Sequence, residues 1–325
     1  MPTIKHMAGA FALLAGATLA QPALAAAYPE RPISLLVGYS PGGPVDTSAR
    51  VFARYLSEKI GQTVLVDNRP GASGMIAADA TQKARPDGYT LNFVASPTMT
   101  MSPQVQRSTL FDPRTAFTPV GLVADYTNVL LVGPDFKGES VKDLIEYAKA
   151  NPQEVSFGSA GIGASNHLSA ELLKQTTGAP MLHVPYRGNS PAMVDVMGGK
   201  ITFMFDITST AKSFVESGKA RALAVTSRER NPGLPDVPTM IEAGIPDYEV
   251  TGWYAVIGPR ELPPEVIETL AAAMRDVNAE PGFREIMEKA GHTLHQPDGA
   301  ALQQRVEREY ALWQNVVDTA GIQPE

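Results

Sequence analysis

From Ile33 onward, short β-rich runs alternate with amphipathic stretches of about 10–15 residues, and this alternation limits the chain more than any other feature. Parallel strands must be joined by long crossovers, usually helices, so repeated strand–helix units imply an α/β fold with a mainly parallel sheet. Ile33–Gly38 reads as the first strand. In Val45–Ile60 the apolar Val45, Ala49, Phe52, Ala53, Leu56 and Ile60 recur at helical spacing, and Gly61 stands where a C-terminal cap belongs. Thr63–Val66 is a strand, followed by the loop Asn68-Arg69-Pro70-Gly71, a short helix near Gly74–Ala84, a turn at Pro86-Asp87-Gly88 and a strand at Thr90–Ala95.

The same grammar resumes further on. Ser140-Val141-Lys142-Asp143 is a capping box that opens a helix to Ala150. Strand Val155–Phe157 leads through a Gly/Ser-rich loop into helix Ser165–Thr176. Met181–Val184 and Lys200–Phe205 are strands flanking a helix that Ser190 would cap and Pro191 would start, and Ala220–Ser227 is another strand. The C-terminal third differs: after a strand at Tyr248–Ile257 come helices at Pro264–Asn278, Phe283–Ala290 and Asp298–Thr319. The last carries Leu302, Val306, Tyr310, Trp313 and Val317, an apolar stripe expected to pack on the core. The 325 residues suffice for two domains.

Composition removes several function classes. A formal net charge of -7 offers no field to attract nucleic acid or an anionic membrane. With no cysteine, thiolate catalysis, disulfides, iron–sulfur clusters and Cys-type zinc sites are excluded. The first residues read as a secretory leader: Lys5 and His6, then the apolar Met7–Leu19, then A-x-A sites ending at Ala25 and Ala27. Residues 1–27 are therefore expected to be removed, with cleavage after Ala25 or Ala27, and no Cys is present for a lipid anchor. The mature chain would hold 26 basic and 34 acidic residues, a net charge of -8, and reside in the periplasm.

Two strand–loop–helix junctions could carry chemistry. The first is Gly38-Tyr39-Ser40-Pro41-Gly42-Gly43-Pro44-Val45-Asp46; the second is Gly158-Ser159-Ala160-Gly161-Ile162-Gly163-Ala164-Ser165-Asn166-His167. Each follows a strand and opens a helix, where unpaired N–H groups and the positive end of the macrodipole favour an anion. Neither contains Lys or Arg, so a bound anion would be held by backbone amides and hydroxyls. The plainer reading of each is a tight βα turn without a ligand. Asp206, after the strand Ile201–Phe205, either lines a cleft or caps the next helix; Asp46 is placed to stabilise its own helix start.

Other chemistries lack their residues. Gly161-Ile162-Gly163 is followed by Asn166 where a dinucleotide fingerprint needs Gly, and there is no phosphate-binding G-x-x-x-x-G-K-[ST], no H-E-x-x-H and no G-x-S-x-G. Ser165 and His167 belong to a helix start rather than a nucleophile–base pair. His292 and His295 have no partners that complete a metal set, so neither a metal nor a cofactor is expected.

At these residues the chain resembles the Bug-type periplasmic solute receptors, the substrate-binding proteins of tripartite tricarboxylate transporters. The resemblance runs from about Tyr28 to Ile322. It rests on Tyr28-Pro29, Pro41-Gly42-Gly43 with Asp46, Asn68-Arg69-Pro70-Gly71-Ala72, Pro86-Asp87-Gly88-Tyr89-Thr90-Leu91 and Gly158-Ser159-Ala160-Gly161. It continues through His183-Val184-Pro185-Tyr186-Arg187-Gly188, Met204-Phe205-Asp206, Arg221-Ala222-Leu223-Ala224-Val225-Thr226 and Leu234-Pro235-Asp236-Val237-Pro238-Thr239. Each segment is weak alone; the run of them in order is specific.

The resemblance implies a two-lobed Venus-flytrap fold, each lobe a mainly parallel sheet flanked by helices. Lobe 1 would take residues 28–127 and 253–325, and lobe 2 residues 128–252. It implies an interlobe cleft for a small carboxylate, a dicarboxylate or aromatic acid being favoured, held by main-chain amides and ordered waters. Carried over residue by residue, the ligand site takes Tyr39, Ser40, Pro41, Gly42, Gly43, Pro44 and Val45; Ser96, Pro97 and Thr98; and Ser159, Ala160, Gly161, Ile162, Gly163, Ala164, Ser165 and Asn166, with Tyr186 and Asp206 besides. Tyr39 departs from the Phe common in the family and adds a hydroxyl that bears on ligand choice. A monomer that delivers its ligand to a membrane permease, without catalysis, is the expected role. A sensory protein that presents the closed lobes to a membrane kinase, or an exported α/β hydrolase, are the rivals.

Overall fold

The computed structural model describes residues 28–106 and 110–320, so the expected leader, residues 1–27, lies outside the described residues. The chain opens with β1 (Ile33–Val37), α1 (Pro44–Ile60) and β2 (Val64–Asn68). A 3₁₀ turn at Ala72–Gly74 precedes α2 (Met75–Gln82), β3 (Thr90–Ala95) and the short α3 (Ser96–Thr100). β1 pairs in parallel with β2 (Ile33 opposite Val64) and with β3 (Leu35 opposite Leu91). Gly61 takes the left-handed conformation and ends α1 by donating its amide to the Ser57 carbonyl.

The sixteen-residue β4 (Phe117–Val132) ties the molecule together. Its first part, to Thr127, pairs antiparallel with β9 (Thr251–Pro259), and its last part, from Asn128, pairs antiparallel with β7 (Phe203–Ile207) and β8 (Arg221–Val225). Between β4 and β8 run α4 (Val141–Ala150), β5 (Ser156–Ser159), α5 (Ser165–Thr177), β6 (Leu182–Pro185), α6 (Asn189–Met197) and then β7 with α7 (Thr208–Glu216). After β9 come α8 (Pro264–Ala279), α9 (Pro281–Lys289), β10 (Thr293–Leu294) and α10 (Gly299–Ala320).

Two lobes result, with strand orders β2-β1-β3-β9-β4-β10 and β6-β5-β7-β4-β8. In each, a strand arriving from the other part of the chain is inserted antiparallel: β9 between β3 and β4, and β4 between β7 and β8. The order 2-1-3 leaves a crevice at the carboxyl ends of the first and third strands of each lobe, the usual ligand position in open α/β sheets.

Both faces of each sheet are covered. On β3, Leu91 and Phe93 pack with Phe52, Leu270 and Phe283 beneath α1, α8 and α9, whereas Val94 packs with Met75 and Leu302 beneath α2 and α10. On β7, Phe203 and Phe205 pack with Leu144 and Leu173, and Met204 with Met193 and Ala211. This is period-two alternation between two buried faces, which is why these strands read as continuous apolar runs. Each such side chain contributes about 1.5–3 kcal/mol by leaving water. The α10 stripe spans the lobes: Leu302 and Val306 join the first lobe's core, while the half-buried Trp313 packs against the second's.

Local departures from the sequence reading have physical causes. α6 begins at Asn189 with Gly188 as its N-cap, not at Pro191 behind a Ser190 cap. Gly188 has φ +134°, which a β-carbon would strain, and it starts the helix earlier. α3, α7 and most of β4 were not anticipated. β4 carries register shifts between Pro119 and Gly121 and between Leu122 and Ala124, which scramble the alternation that marks a strand. Thr208–Glu216 is too polar to show a clear stripe.

Candidate functional site

The carboxyl ends of β1, β3, β5 and β7 enclose a narrow cavity of about 10 Å³ between the lobes. From the first lobe, Tyr39, Val45, Ala95, Pro97 and Tyr126 line it. From the second come Ala160, Ala164, Ser165 and Asn166, with Asn189 and Ile207. No Lys or Arg lines it among the described residues.

Four helices of nine residues or more begin at this cavity. α1 starts behind Gly43, α5 behind Ala164, α6 behind Gly188 and α7 behind Ile207, and none of these N-termini is capped by a side chain. Away from the cavity, Ser140 and Asp143 complete a capping box on α4, while α2, α8 and α9 also start without a side-chain cap, so it is the convergence of the four that sets the cavity apart. The first-turn amides of a helix have no intrahelical acceptor, and each N-terminus carries about half a positive charge. Four of them converging on one small space make an anion site without a cationic side chain.

The polar groups on the wall are held from behind. The Asn166 Oδ1 accepts from the Ala160 and His167 amides, each at 3.0 Å, which fixes its side chain across the loop. The Asn189 amide donates to Asp206. The Tyr126 hydroxyl sits between Ser96 of the first lobe and Ser165 of the second; burial is the main reason its phenol is pushed up to about 12. Tyr126, Ala95, Asn189 and Ile207 were not among the sequence candidates. The one sequence signal for Asn189 was its place directly after Gly188 and before Ser190-Pro191; Tyr126 sits inside a strand and gave no signal.

Several sequence candidates stand elsewhere. Gly42 is exposed, and its amide donates to the Asp46 carboxylate at 2.8 Å rather than facing the cavity; the Gly43 amide donates to the Ser40 carbonyl. Pro41 is exposed, Pro44 is the first residue of α1, and Ser40 lies under Gly188. The Tyr39 ring lines the cavity, but its hydroxyl donates to the Ser73 carbonyl at 3.0 Å, so the hydroxyl is committed to a neighbouring loop and not to a ligand. Thr98 donates to the same carbonyl at 2.8 Å, and the Ser96 hydroxyl accepts from the Trp253 amide.

On the second lobe, the Ser159 hydroxyl lies 2.6 Å from His183 Nε2 and is fully buried beneath the loop. Gly163 donates to His167 Nδ1; burial is the main cause that lowers His167 to about 3 and keeps that nitrogen an acceptor. Gly161, Ile162 and Gly163 meet the first lobe rather than the cavity. The Tyr186 hydroxyl donates to Asp195 at 2.7 Å and points away. Asp206 is 1 % exposed and braces the wall from behind: it accepts from Asn189, from the Ile207 amide at 2.8 Å and from the Thr210 hydroxyl at 2.8 Å. Burial raises its pKa above the ordinary carboxyl value against those three bonds.

A more open groove lies at the amino ends of β5 and β7, lined by Phe136, Tyr147, Glu139, Glu146, Glu154 and Thr202. Its carboxylates outnumber the one cation, Lys137, and the α4 N-terminus beside it is already capped by Ser140 and Asp143. Among the described residues no group of three or more His, Asp or Glu side chains could hold a metal, and no helix is long and apolar enough to cross a membrane.

Known proteins share this architecture. The family model for the tripartite tricarboxylate transporter family receptor matches residues 48–322. The solved periplasmic binding protein BugD superposes with a TM-score of 0.88 at 35% identity, over 92% of this chain and 100% of that one. An R. palustris protein solved with adipate gives 0.89 at 36% identity over the same shares. MatC from Rhodopseudomonas palustris, with bound malate, gives 0.85 at 28% identity over 89% of this chain and 100% of its own. The two-lobed α/β architecture, the amide-lined interlobe cavity and the match across residues 48–322 agree, and the chain belongs to the tripartite tricarboxylate transporter receptor family, whose members are periplasmic solute-binding receptors and not enzymes.

Proposed function

We propose that the chain captures a small carboxylate in the interlobe cavity and delivers it to a membrane permease, acting as a monomer. The observation that carries this reading is the convergence of four uncapped helix N-termini on a cavity with no lining cation. The first-turn amides of α1 and α5, with ordered waters, hold one carboxylate; the Tyr39 ring, Pro97 and Ile207 enclose the carbon skeleton. The adipate and malate found in two family structures make a dicarboxylate the favoured class. The lobes are taken to join at Thr127–Asn128 and near Val250–Thr251, where the pairing of β4 and the start of β9 change partner sheet. The chain is exported, its leader cleaved after Ala25 or Ala27.

The test is a thermal-shift screen of mono-, di- and tricarboxylates and aromatic acids, followed by calorimetry. A cognate acid at 100-fold over Kd raises stability by about 2.7 kcal/mol. Amines and sugars are included as controls, and a panel in which only they shift the melting temperature would sink the reading.

A further inference from the structure

Where the lobes meet, two first-lobe serines bond the second lobe's Gly-rich loop. Ser73 Oγ donates to the Ile162 carbonyl at 2.6 Å, and Ser102 Oγ donates to the Gly163 carbonyl at 3.1 Å. Both serines are buried, and the glycines opposite them leave no room: a β-carbon on Gly161 would stand 2.9 Å from Ser73 Oγ, and one on Gly163 2.7 Å from Ser102 Cα. The far side of each peptide is held by the second lobe itself, since the Gly163 amide donates to His167 Nδ1 and the Ala164 amide to the Gly161 carbonyl.

Ser73 is also built for this position. Ala72 and Ser73 have φ of +47° and +50°, a left-handed conformation that side chains disfavour. The conformation is kept by two hydroxyls, those of Tyr39 and Thr98, which both donate to the Ser73 carbonyl. Strain of this kind persists only where neighbours over-determine it, and here its result is to aim Ser73 Oγ across the lobe boundary.

We propose that Ser73 and Ser102 are positioning residues, which fix the Ile162–Gly163 peptides when the lobes meet and thereby orient the α5 N-terminus toward the cavity. The functional consequence rests on the carboxylate reading above. Lobe closure and formation of the binding loop are then one event. The ligand never touches either serine; it is retained because the loop whose helix start holds it is clamped from the other lobe.

The chain has no cysteine, so Arg85→Cys and Lys142→Cys place one dye on an exposed position of each lobe. Interlobe distances are read by single-molecule energy transfer without acid, with adipate and with malate. Ser73→Ala and Ser102→Ala should each lower the closed-to-open ratio about two- to tenfold, the range for one hydrogen bond. Release of whichever of the two acids binds should accelerate by the same factor, with association unchanged. Ser140→Ala, which removes the α4 capping box, should lower the melting temperature and leave the ratio alone. A ratio unmoved by both serine variants overturns the proposal, as does a wild-type chain that shows only the open distance in all three conditions. If the wild type closes but binds neither acid, the ligand assignment fails while the ratio measured without acid still decides the role of the serines.

Discussion

The Asp46 carboxylate accepts the Gly42 amide at 2.8 Å, one turn of helix back along its own chain. It also accepts from Arg50 Nε at 3.0 Å and from Asn68 Nδ2 at 2.8 Å, and Asn68 donates to the Tyr39 carbonyl as well. The first Gly-rich loop is thus a braced turn whose own amides are largely consumed. On the proposed function, what it offers a ligand is the start of α1, not its glycines.

Asp46→Asn should therefore destabilise the chain by about 1.5–3 kcal/mol at pH 7, the range for hydrogen bonds to a charged group. Burial alone would raise the Asp46 pKa, but Arg50, Gly42 and Asn68 outweigh it and hold it below the ordinary value of 3.8. A depressed carboxyl contributes stability that is present above the unfolded pKa and is lost as pH falls through the folded one. Melting curves of both proteins should converge as pH falls from 3.8 through the lower folded value. A gap that stays constant from pH 7 to pH 2.5 would show that Asp46 works by shape, not charge.

Gly42 and Gly163 separate conformational strain from crowding. A β-carbon on Gly42 meets nothing within 4 Å, so Gly42→Ala should cost only the left-handed backbone penalty, about 1–2 kcal/mol of stability, with binding nearly unchanged. Gly163→Ala pushes against the Ser102 backbone and Val105, holding the lobes apart. Its affinity for the cognate acid should fall at least about tenfold, equivalent to 1.4 kcal/mol. Calorimetry on both variants decides; equal losses would mean that the two loops serve the ligand alike.

Arg187 is the basic residue closest in sequence to the α6 start, and it is exposed. Arg187→Gln should leave affinity within about twofold, as expected for a surface charge screened by salt. A loss beyond about tenfold would move the anchor from backbone amides to a side-chain ion pair.

The order of strands and helices was legible because each helix of the first repeat is bracketed by its own signals: an apolar stripe from Val45 to Ile60, and Gly61 at its end. The two Gly-rich loops were legible as places, since small residues at strand ends mark where chain or ligand approaches. Their roles were not. Whether the Gly42 amide faces a ligand or Asp46 depends on a side-chain rotamer. That the second loop's Gly161 and Gly163 face the other lobe depends on how two distant segments come together, which spacing along one chain does not encode. Tyr126 and Asn189 reach the cavity for the same reason: Tyr126 by the long run of β4 between lobes, Asn189 by a bond to Asp206 seventeen residues on.

Asp206 should respond to pH with the opposite sign to Asp46. Burial holds its pKa above the ordinary carboxyl value despite its bonds to Thr210, Asn189 and Ile207. The folded chain thus keeps this proton to higher pH than the unfolded one, so its contribution to stability declines as pH rises from about 3.8 through the folded value. Asp206→Asn removes that cost and can keep the contacts. The amide oxygen still accepts from Asn189 and Ile207, while its NH₂ faces the Thr210 hydroxyl, whose proton has the Ile207 carbonyl at 3.2 Å as a second acceptor. At pH 7 the Asn variant should melt at or above the wild-type temperature, and its advantage should vanish toward pH 3. Asp206→Leu strands the Asn189 and Ile207 donors at about 1–3 kcal/mol each and frees the Asn189 side chain on the cavity wall. Its affinity for the cognate acid should fall about tenfold or more, while that of the Asn variant stays within a few-fold. If instead Asp206→Asn loses binding as heavily as Asp206→Leu, the negative charge itself takes part in ligand recognition, and Asp206 belongs to the cavity rather than behind it.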